Sequence, residues 1–428
     1  MLDLLIKNAN LPDGRTGVDI AVDKGRIVEV GTRLAVQAER EIDAAGRLVT
    51  PPFVDSHFHL DSTLSYGQPR VNQSGTLLEG IELWGEFKSG LTVENVKARA
   101  GELCRWAIAR GTLAIRSHVD VGDDNLLAVE ALLELREEIK PYIDVQLVAF
   151  PQDGYFRYSP NAANLERALN MGVDIVGGIP HFERTMAAGA ASIKALCEIA
   201  ADRGLQVDMH CDESDDPHSR HIETLTFHTQ RLGLHGRVAG SHLASMHSMD
   251  NYYVSKLLPL MAEARIHVVA NPLINITLQG RHDTYPKRRG MTRVKELMEA
   301  GVNVAFGQDA LMDPWYSLGS HDMLEVAHMG LHVAQMTGDE QIQQVFAAVT
   351  SNGAKVLGLE GYGLEPGCHA DMVILQAANP HEALRLKPAR LFVIRRGQVI
   401  AETPPVISRL DLADGTYEVD FHFPTESN

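Results

Sequence analysis

The segment LVTPPFVDSHFHLDST (residues 48–63) constrains the fold of this chain more than any other. A β-branched, apolar run ends in two histidines, His57 and His59, spaced i, i+2 around Phe58. Alternate side chains of a strand share one face, so both imidazoles point the same way. Two imidazoles converging at the end of a buried strand are half of a divalent-metal site.

Three further polar residues each end their own apolar run: His210 after LQVDM, His242 after RVAGS and Asp309 after VNVAFGQ. Short continuous apolar runs of this kind read as buried parallel strands. In a barrel of alternating strands and helices, the C-terminal strand edges open onto one face, where four residues distant in sequence can meet. The order HxH, His, His, Asp resembles the signature of the amidohydrolase superfamily. That resemblance implies a metal-dependent (β/α)8 barrel.

The strand-and-helix pattern agrees with that implication. From Thr50, apolar runs alternate with helical stretches such as ENVKARAGELCRWAIARG, NLLAVEALLELREEIK, NLERALNMG and SIKALCEIAADRG, whose apolar residues recur at i, i+3, i+4. The expected barrel strands are 48–58, 113–119, 145–151, 175–179, 206–210, 238–242, 267–271 and 302–309. Residues 1–50 read instead as short strands punctuated by Gly, Asn and Asp turns. After about residue 356 the chain returns to strands, in HADMVILQAAN and PARLFVIRRGQVIAETPP. The expected architecture is α/β: a TIM barrel over 51–355, with a small β-sandwich built from 1–50 and 356–428. The C-terminal strands are expected to continue the N-terminal sheet.

The 428 residues suit one large barrel plus an appended module. A net charge of −17 argues against binding to a nucleic-acid backbone or an anionic membrane surface. Cys104, Cys197, Cys211 and Cys368 show no CxxC spacing and suit reduced thiols in a cytoplasmic protein. The N-terminus lacks the pattern of a signal peptide, and no apolar run reaches spanning length.

A metal held by His57, His59, His210 and Asp309 would bring the pKa of a bound water towards neutrality. Asp309 is suited to accept that water's proton. His242 could hydrogen-bond the nucleophile or the developing oxyanion. Glu213, three residues after His210 in HCDE, could protonate a ring nitrogen of a substrate. Asp212, Asp215 and Asp216 crowd the same loop, and spacing does not choose among them.

The stretches GQPRVNQSGTLLEGIE, AFPQDG, VGGIPHFE, HCDESDD, ANPLINITLQGRHDTYPKRRG and MDPWYSLG closely resemble the bacterial cytosine deaminase family. The resemblance covers most of the chain. It implies one divalent ion per chain (iron or zinc, with manganese a third candidate) and no carboxylated lysine. It makes His57, His59, His210 and Asp309 the ligands, Glu213 the proton shuttle to the pyrimidine and His242 the group that orients the hydroxide. It further implies that Gln152 and the backbone at Leu77 read the amide edge of the base, and that Trp315 forms a pocket wall. The substrate would be a free nucleobase and the assembly a homo-oligomer, a hexamer in that family.

One departure bears on specificity. The family carries a histidine and two adjacent aspartates after strand eight, where this chain has Gln308, Asp309 and Ala310. The resemblance sets residue 310 near the C4–C5 edge of the base. An alanine there removes a carboxylate and opens space for a 5-substituent, so 5-methylcytosine is expected as a substrate beside cytosine.

The zinc nucleoside-deaminase motif, HxE with PCxxC, is missing. Other amino-heterocycles, such as isoguanine or creatinine-like rings, are alternative substrates. Cyclic-amide hydrolysis is a second alternative, although its enzymes bring a lysine at strand four, where this chain has IPHFE. A barrel serving only as a scaffold is a third, and it would have lost its ligands. His118, His181, His247 and His282 are expected to be structural or to support the site from behind, HIETLTFHTQRLGLHG to be a surface helix, and YPKRRG to be a salt-bridged loop or an oligomer contact.

Overall fold

The computed structural model describes residues 1–422. The N-terminal residues form β1 (Leu2–Ala9), β2 (Val18–Asp23), β3 (Arg26–Gly31) and β4 (Ala38–Asp43), a sheet of order β3-β2-β1-β4. Lys24 and Gly25 both take positive φ between β2 and β3, as a two-residue hairpin turn requires.

The strand expected over 48–58 is two strands. Pro51 and Pro52 interrupt the ladder because neither has an N–H to donate. On one side lies β5 (Val49–Thr50) and on the other β6 (Phe53–Phe58), the first barrel strand. The barrel continues through β7 (Thr112–Asp120), β8 (Asp144–Phe150), β9 (Ile175–Gly178), β10 (Gln206–Cys211), β11 (Val238–His242), β12 (His267–Ala270) and β13 (Asn303–Phe306). All neighbouring pairs in this eight-stranded sheet are parallel, in the order β13 to β6. The strand expected over 302–309 is shorter than its apolar run. Gly307 to Asp309 leave regular geometry, and a bridge between Phe58 and Asp309 joins the last strand to the first.

Helices wrap the barrel and bury their apolar stripes against it. Val93–Ala109 lays Val96, Ala100, Leu103, Cys104 and Ala107 on the core, and a hydrogen bond from the Asn95 N–H to the Thr92 side chain caps its start. The helix Ser351–Leu357 closes the base of the barrel, packing Ala354, Val356 and Leu357 on Val54, Ala114, Ala239, Val269 and Ala305. The boundary expected at 355/356 therefore falls inside a helix.

The C-terminal strands β14 (Met372–Leu375), β15 (Arg390–Arg395) and β16 (Gln398–Glu402) do not extend the N-terminal sheet. They form a second sheet of order β16-β15-β14-β5, in which β5 supplies an edge. The two sheets sandwich a core of Leu4, Ile6, Ile20, Val22, Val49, Ile374, Leu391 and Ile394. Beyond it, β17 (Ser408–Leu412) and β18 (Gly415–Val419) pair only with each other.

Candidate active site

His57 is the penultimate residue of β6 and His59 follows its end, His210 lies one residue from the end of β10, and Asp309 follows β13. The barrel brings all four together with ligand atoms within 4.8 Å of one another. His59 Nε2 lies 3.0 Å from His210 Nε2, and Asp309 Oδ1 lies 3.5 and 3.4 Å from the Nε2 atoms of His57 and His59. Both ring nitrogens of His57 are buried without a hydrogen-bond partner. Leaving such groups unpaired is costly unless something else satisfies them. Three imidazoles and a carboxylate converging in this way fit one divalent ion.

Strained backbone marks the same place. His242, Leu243, Asp309 and Asp212 take positive φ without being glycine, a conformation held only where surroundings enforce it. The enforcing bonds are visible. The Leu243 N–H donates to the Cys211 carbonyl, and the Ser245 N–H donates to the Asp212 carbonyl. At Gly307 a Cβ would come 2.7 Å from His57 Cβ and 2.6 Å from Asn271 Oδ1, so only glycine lets β13 approach β6 so closely.

His242 lies beside the cluster, with Nε2 3.7 Å from Asp309 Oδ2. The Asn275 carboxamide donates to His242 Nδ1 at 3.0 Å, which assigns the proton to Nε2, facing Asp309. Neither Asn271 nor Asn275 was singled out from sequence. Their signal was two asparagines four apart in ANPLIN, at the start of the helix Pro272–Leu278.

Of the four acids in HCDESDD, only Glu213 lines the pocket. Its Oε1 lies 3.5 Å from His242 Nδ1. The Asp212 carboxylate instead accepts from Ser219 Oγ, from Nδ1 and the backbone N–H of His221, and from the Ile222 N–H. Asp215 accepts from the Gly280 N–H, and Asp216 is exposed. Burial, reinforced by the charge of Asp309, raises the Glu213 carboxyl well above the carboxylate range. Burial alone would raise Asp309 too, but the imidazoles of His242 and His57 and the hydrogen bond from His59 hold it well below.

The pocket over the cluster has a volume of about 190 Å³. Gln152, Leu77, Trp315 and Ala310 all line it, as does His181. Leu77 begins α1 (Leu77–Lys88), which Thr76 caps by accepting from the Glu79 N–H. Trp315 is set by Asp313, whose Oδ1 accepts from the N–H groups of Trp315 and Tyr316 at 2.9 Å. A Cβ at Gly80 would overlap the Trp315 indole, so α1 rests directly on that ring. Ala310 is 3% exposed and packs with Ile274 and Leu278, and Leu77 and Trp315 close over the three.

Two sequence expectations need correcting here, and a third is met. His181 was expected to be structural or to support the site from behind, yet the turn at Pro180 after the short β9 carries it into the pocket wall itself. Burial holds its pKa down at about 4. The helix His221–Arg231 is not a surface helix throughout: His221 and His228 are buried, and His221 pairs with Asp212. The run YPKRRG is the expected salt-bridged loop, with Arg288 paired to Asp283 at 2.7 Å. Lys287 donates to the Gly280 and Asp283 carbonyls, Arg288 grips Asp283 and reaches the Asp215 carbonyl and Ser248 Oγ, and Arg289 donates to the Val333 carbonyl.

A barrel with HxH on strand one, histidines on strands five and six, and an aspartate after strand eight defines a metal-dependent hydrolase. Residues 40–406 match the Amidohydrolase family, and the chain belongs to that family, as a cytosine deaminase-like hydrolase acting on C–N bonds. It is similar to 5-methylcytosine deaminase from Klebsiella pneumoniae, with 42% identity and 94% of this chain covered. The TM-score is 0.91 for the structure liganded with 5-fluorocytosine (98% of that chain) and 0.92 for that with phosphonocytosine (99%). It is 30% identical over 413 residues to N-isopropylammelide isopropyl amidohydrolase from Pseudomonas sp. (strain ADP), covering 95% of this chain and 99% of that one. Pterin deaminase from Rhizobium rhizogenes (strain K84 / ATCC BAA-868) is 29% identical over 409 residues, covering 94% and 92%.

Proposed function

We propose that the protein is a hydrolytic deaminase of free cytosine-type bases, converting 5-methylcytosine to thymine and cytosine to uracil with release of ammonia. The observation that carries this reading is the apolar wall of Ala310, Ile274 and Leu278 beside the His57–His59–His210–Asp309 cluster. A carboxylate in place of Ala310 would have to lose its water against a 5-methyl group without a partner, whereas alanine offers that methyl an apolar surface. The likeness to the Klebsiella pneumoniae enzyme supports the same substrate class.

Iron, zinc or manganese would be held by His57, His59, His210 and Asp309, and would supply the Lewis acidity that makes water nucleophilic near neutral pH. The protein's own groups do the rest. Asp309 accepts the proton of the attacking water. His242 Nε2–H steadies the oxygen as it adds to C4. Glu213 delivers its proton to N3, takes up the proton of the oxygen added at C4 and passes it to the amine. The C4–N bond then breaks with ammonia leaving and a C4 carbonyl remaining, and the proton held by Asp309 returns to Glu213. Gln152 and the backbone at Leu77 take the amide edge of the ring, and Trp315 covers its face.

Two further expectations belong to the same reading. The four unpaired cysteines suit a cytoplasmic protein, and no helix among the described residues is long and apolar enough to cross a membrane. A homo-oligomer, with the hexamer as the expected form, is supported by the β17–β18 hairpin. It leaves Leu410, Leu412 and Tyr417 exposed on one face, with Val406 and Ile407 beside them. A lone two-stranded ribbon is marginal in water.

The test is a deamination screen over aminopyrimidines, aminopurines, pterins and creatinine-like rings, reading both ammonia and ring-intact product. Turnover confined to the pyrimidine-4-amines is expected. Preference for a bicyclic ring, or ring opening of a cyclic amide, would overturn the assignment.

A further inference from the structure

The order of strands around the barrel divides the pocket in two. Strands β8, β9 and β10 are consecutive neighbours, and the residues following them that line the pocket include the polar Gln152, His181, Glu213 and Ser214, beside Ile179 and Phe182. Across the pocket, β12, β13 and β6 deliver Ile274 and Leu278, then Ala310 and Trp315, then Leu77. Apart from the candidate ligands and His242, the polar side chains of the lining gather in the first half-circle, and the second is apolar. A cytosine-type ring is divided in the same way, with N1, the C2 oxygen and N3 on one edge and C5 and C6 on the other. The two halves match in one orientation, with C5 against Ala310, the polar edge facing β8 to β10, and the backbone of Leu77 meeting the amide edge at N1, where the halves adjoin.

Within the polar half, His181 stands between Gln152 and Glu213. A carbonyl oxygen has two lone pairs. If Gln152 takes one from the N1 side, the second opens towards N3 and Glu213, where His181 stands. Its Nδ1 is sealed without a partner. Nε2 is not sealed in this way, and a neutral imidazole with its proton there presents an N–H to the pocket. The position is built rather than incidental. Glu183 Oε1 accepts from the Phe156 N–H at 3.0 Å, and Arg157 donates to the Phe182 carbonyl at 3.1 Å while its guanidinium lies over the Phe182 ring. These bonds tie the His181 turn to the loop that carries Gln152.

We propose that His181 is a substrate-contacting residue whose Nε2–H donates to the C2 oxygen of the bound base, beside Gln152, and so selects for 2-oxo rings. This rests on the reading of the substrate as a cytosine-type base.

The experiment compares cytosine with 2-thiocytosine, whose sulfur is a weak acceptor, in wild type, His181→Phe and His181→Gln, with metal content and melting temperature measured on each. Wild type should favour the 2-oxo base. His181→Phe should lower kcat/KM for cytosine on the order of ten-fold, the usual effect of a buried acceptor left unpaired, and barely change it for 2-thiocytosine, so that the preference collapses. Gln can set a carboxamide N–H near the former Nε2, so His181→Gln should recover part of the preference. Equal losses on both bases, or an unchanged ratio in His181→Phe, would overturn the contact while leaving the deaminase reading intact. A wild type that turns over neither base would overturn both.

Discussion

The N–H of Asp309 donates to the carbonyl of His57 at 2.8 Å, and the N–H of His59 returns a bond to the carbonyl of Asp309 at 3.1 Å. These bonds close the barrel between its first and last strands. They also fix three of the four candidate ligands to one another, so a metal there would brace the seam of the fold.

Purified active protein should therefore carry about one divalent ion per chain. Chelation should abolish turnover, and iron, zinc or manganese should restore it. The melting temperature should fall on metal removal, since an ion at a hundred times its Kd stabilises the native state by about 2.7 kcal/mol. Full activity in thoroughly metal-free protein would refute the site.

Glu213→Gln keeps the shape of the side chain and removes its proton. General acid–base catalysis is worth roughly 10²–10⁴-fold, so kcat should fall by at least that range while metal content stays near one per chain. Because Asp212 and Asp215 are occupied elsewhere, neither should rescue the loss. A kcat close to wild type would remove Glu213 from the chemistry.

Burying one extra methyl against Ala310 should favour 5-methylcytosine by about 0.8 kcal/mol, several-fold in kcat/KM. Ala310→Asp should shift the ratio towards cytosine, because a desolvated carboxylate would face the methyl. The measurement is kcat/KM for both bases in both proteins. A wild type that prefers cytosine ten-fold or more, or a ratio unmoved by the substitution, would show that residue 310 does not set the preference.

The hairpin makes a prediction about assembly. Replacing Leu410 and Leu412 by Glu should shift the protein to smaller species in light scattering, because the exposed apolar face of β17–β18 would no longer bury against a neighbouring copy. An unchanged mass distribution would mean that the hairpin is not the contact.

How much was legible in the sequence depended on locality. The barrel strands were legible as apolar runs, and the candidate ligands as the His or Asp residues that end some of them, since strand period and strand end are local properties. The break at Pro51–Pro52 was missed, since the strand was expected to run unbroken over 48–58, although the missing N–H groups of proline are fixed by residue type. The split of the terminal strands into two sheets was not legible, because backbone pairing is decided by packing across the sandwich rather than by any run of residues.

The same division holds at the site. Sequence by itself determined which residues can bind a metal and, through Ala310, that one wall carries no charge. Only the tertiary structure decided which of four crowded acids faces the pocket. Asp212 is turned away because its carboxylate is consumed by Ser219, His221 and Ile222. Only the fold assigned Asn275 to His242, set Gly80 against Trp315 and brought His181 between Gln152 and Glu213. The physical reason is that spacing along a chain fixes which face of an element a side chain takes, whereas its neighbours in the pocket come from strands far apart in sequence that meet only when the barrel closes.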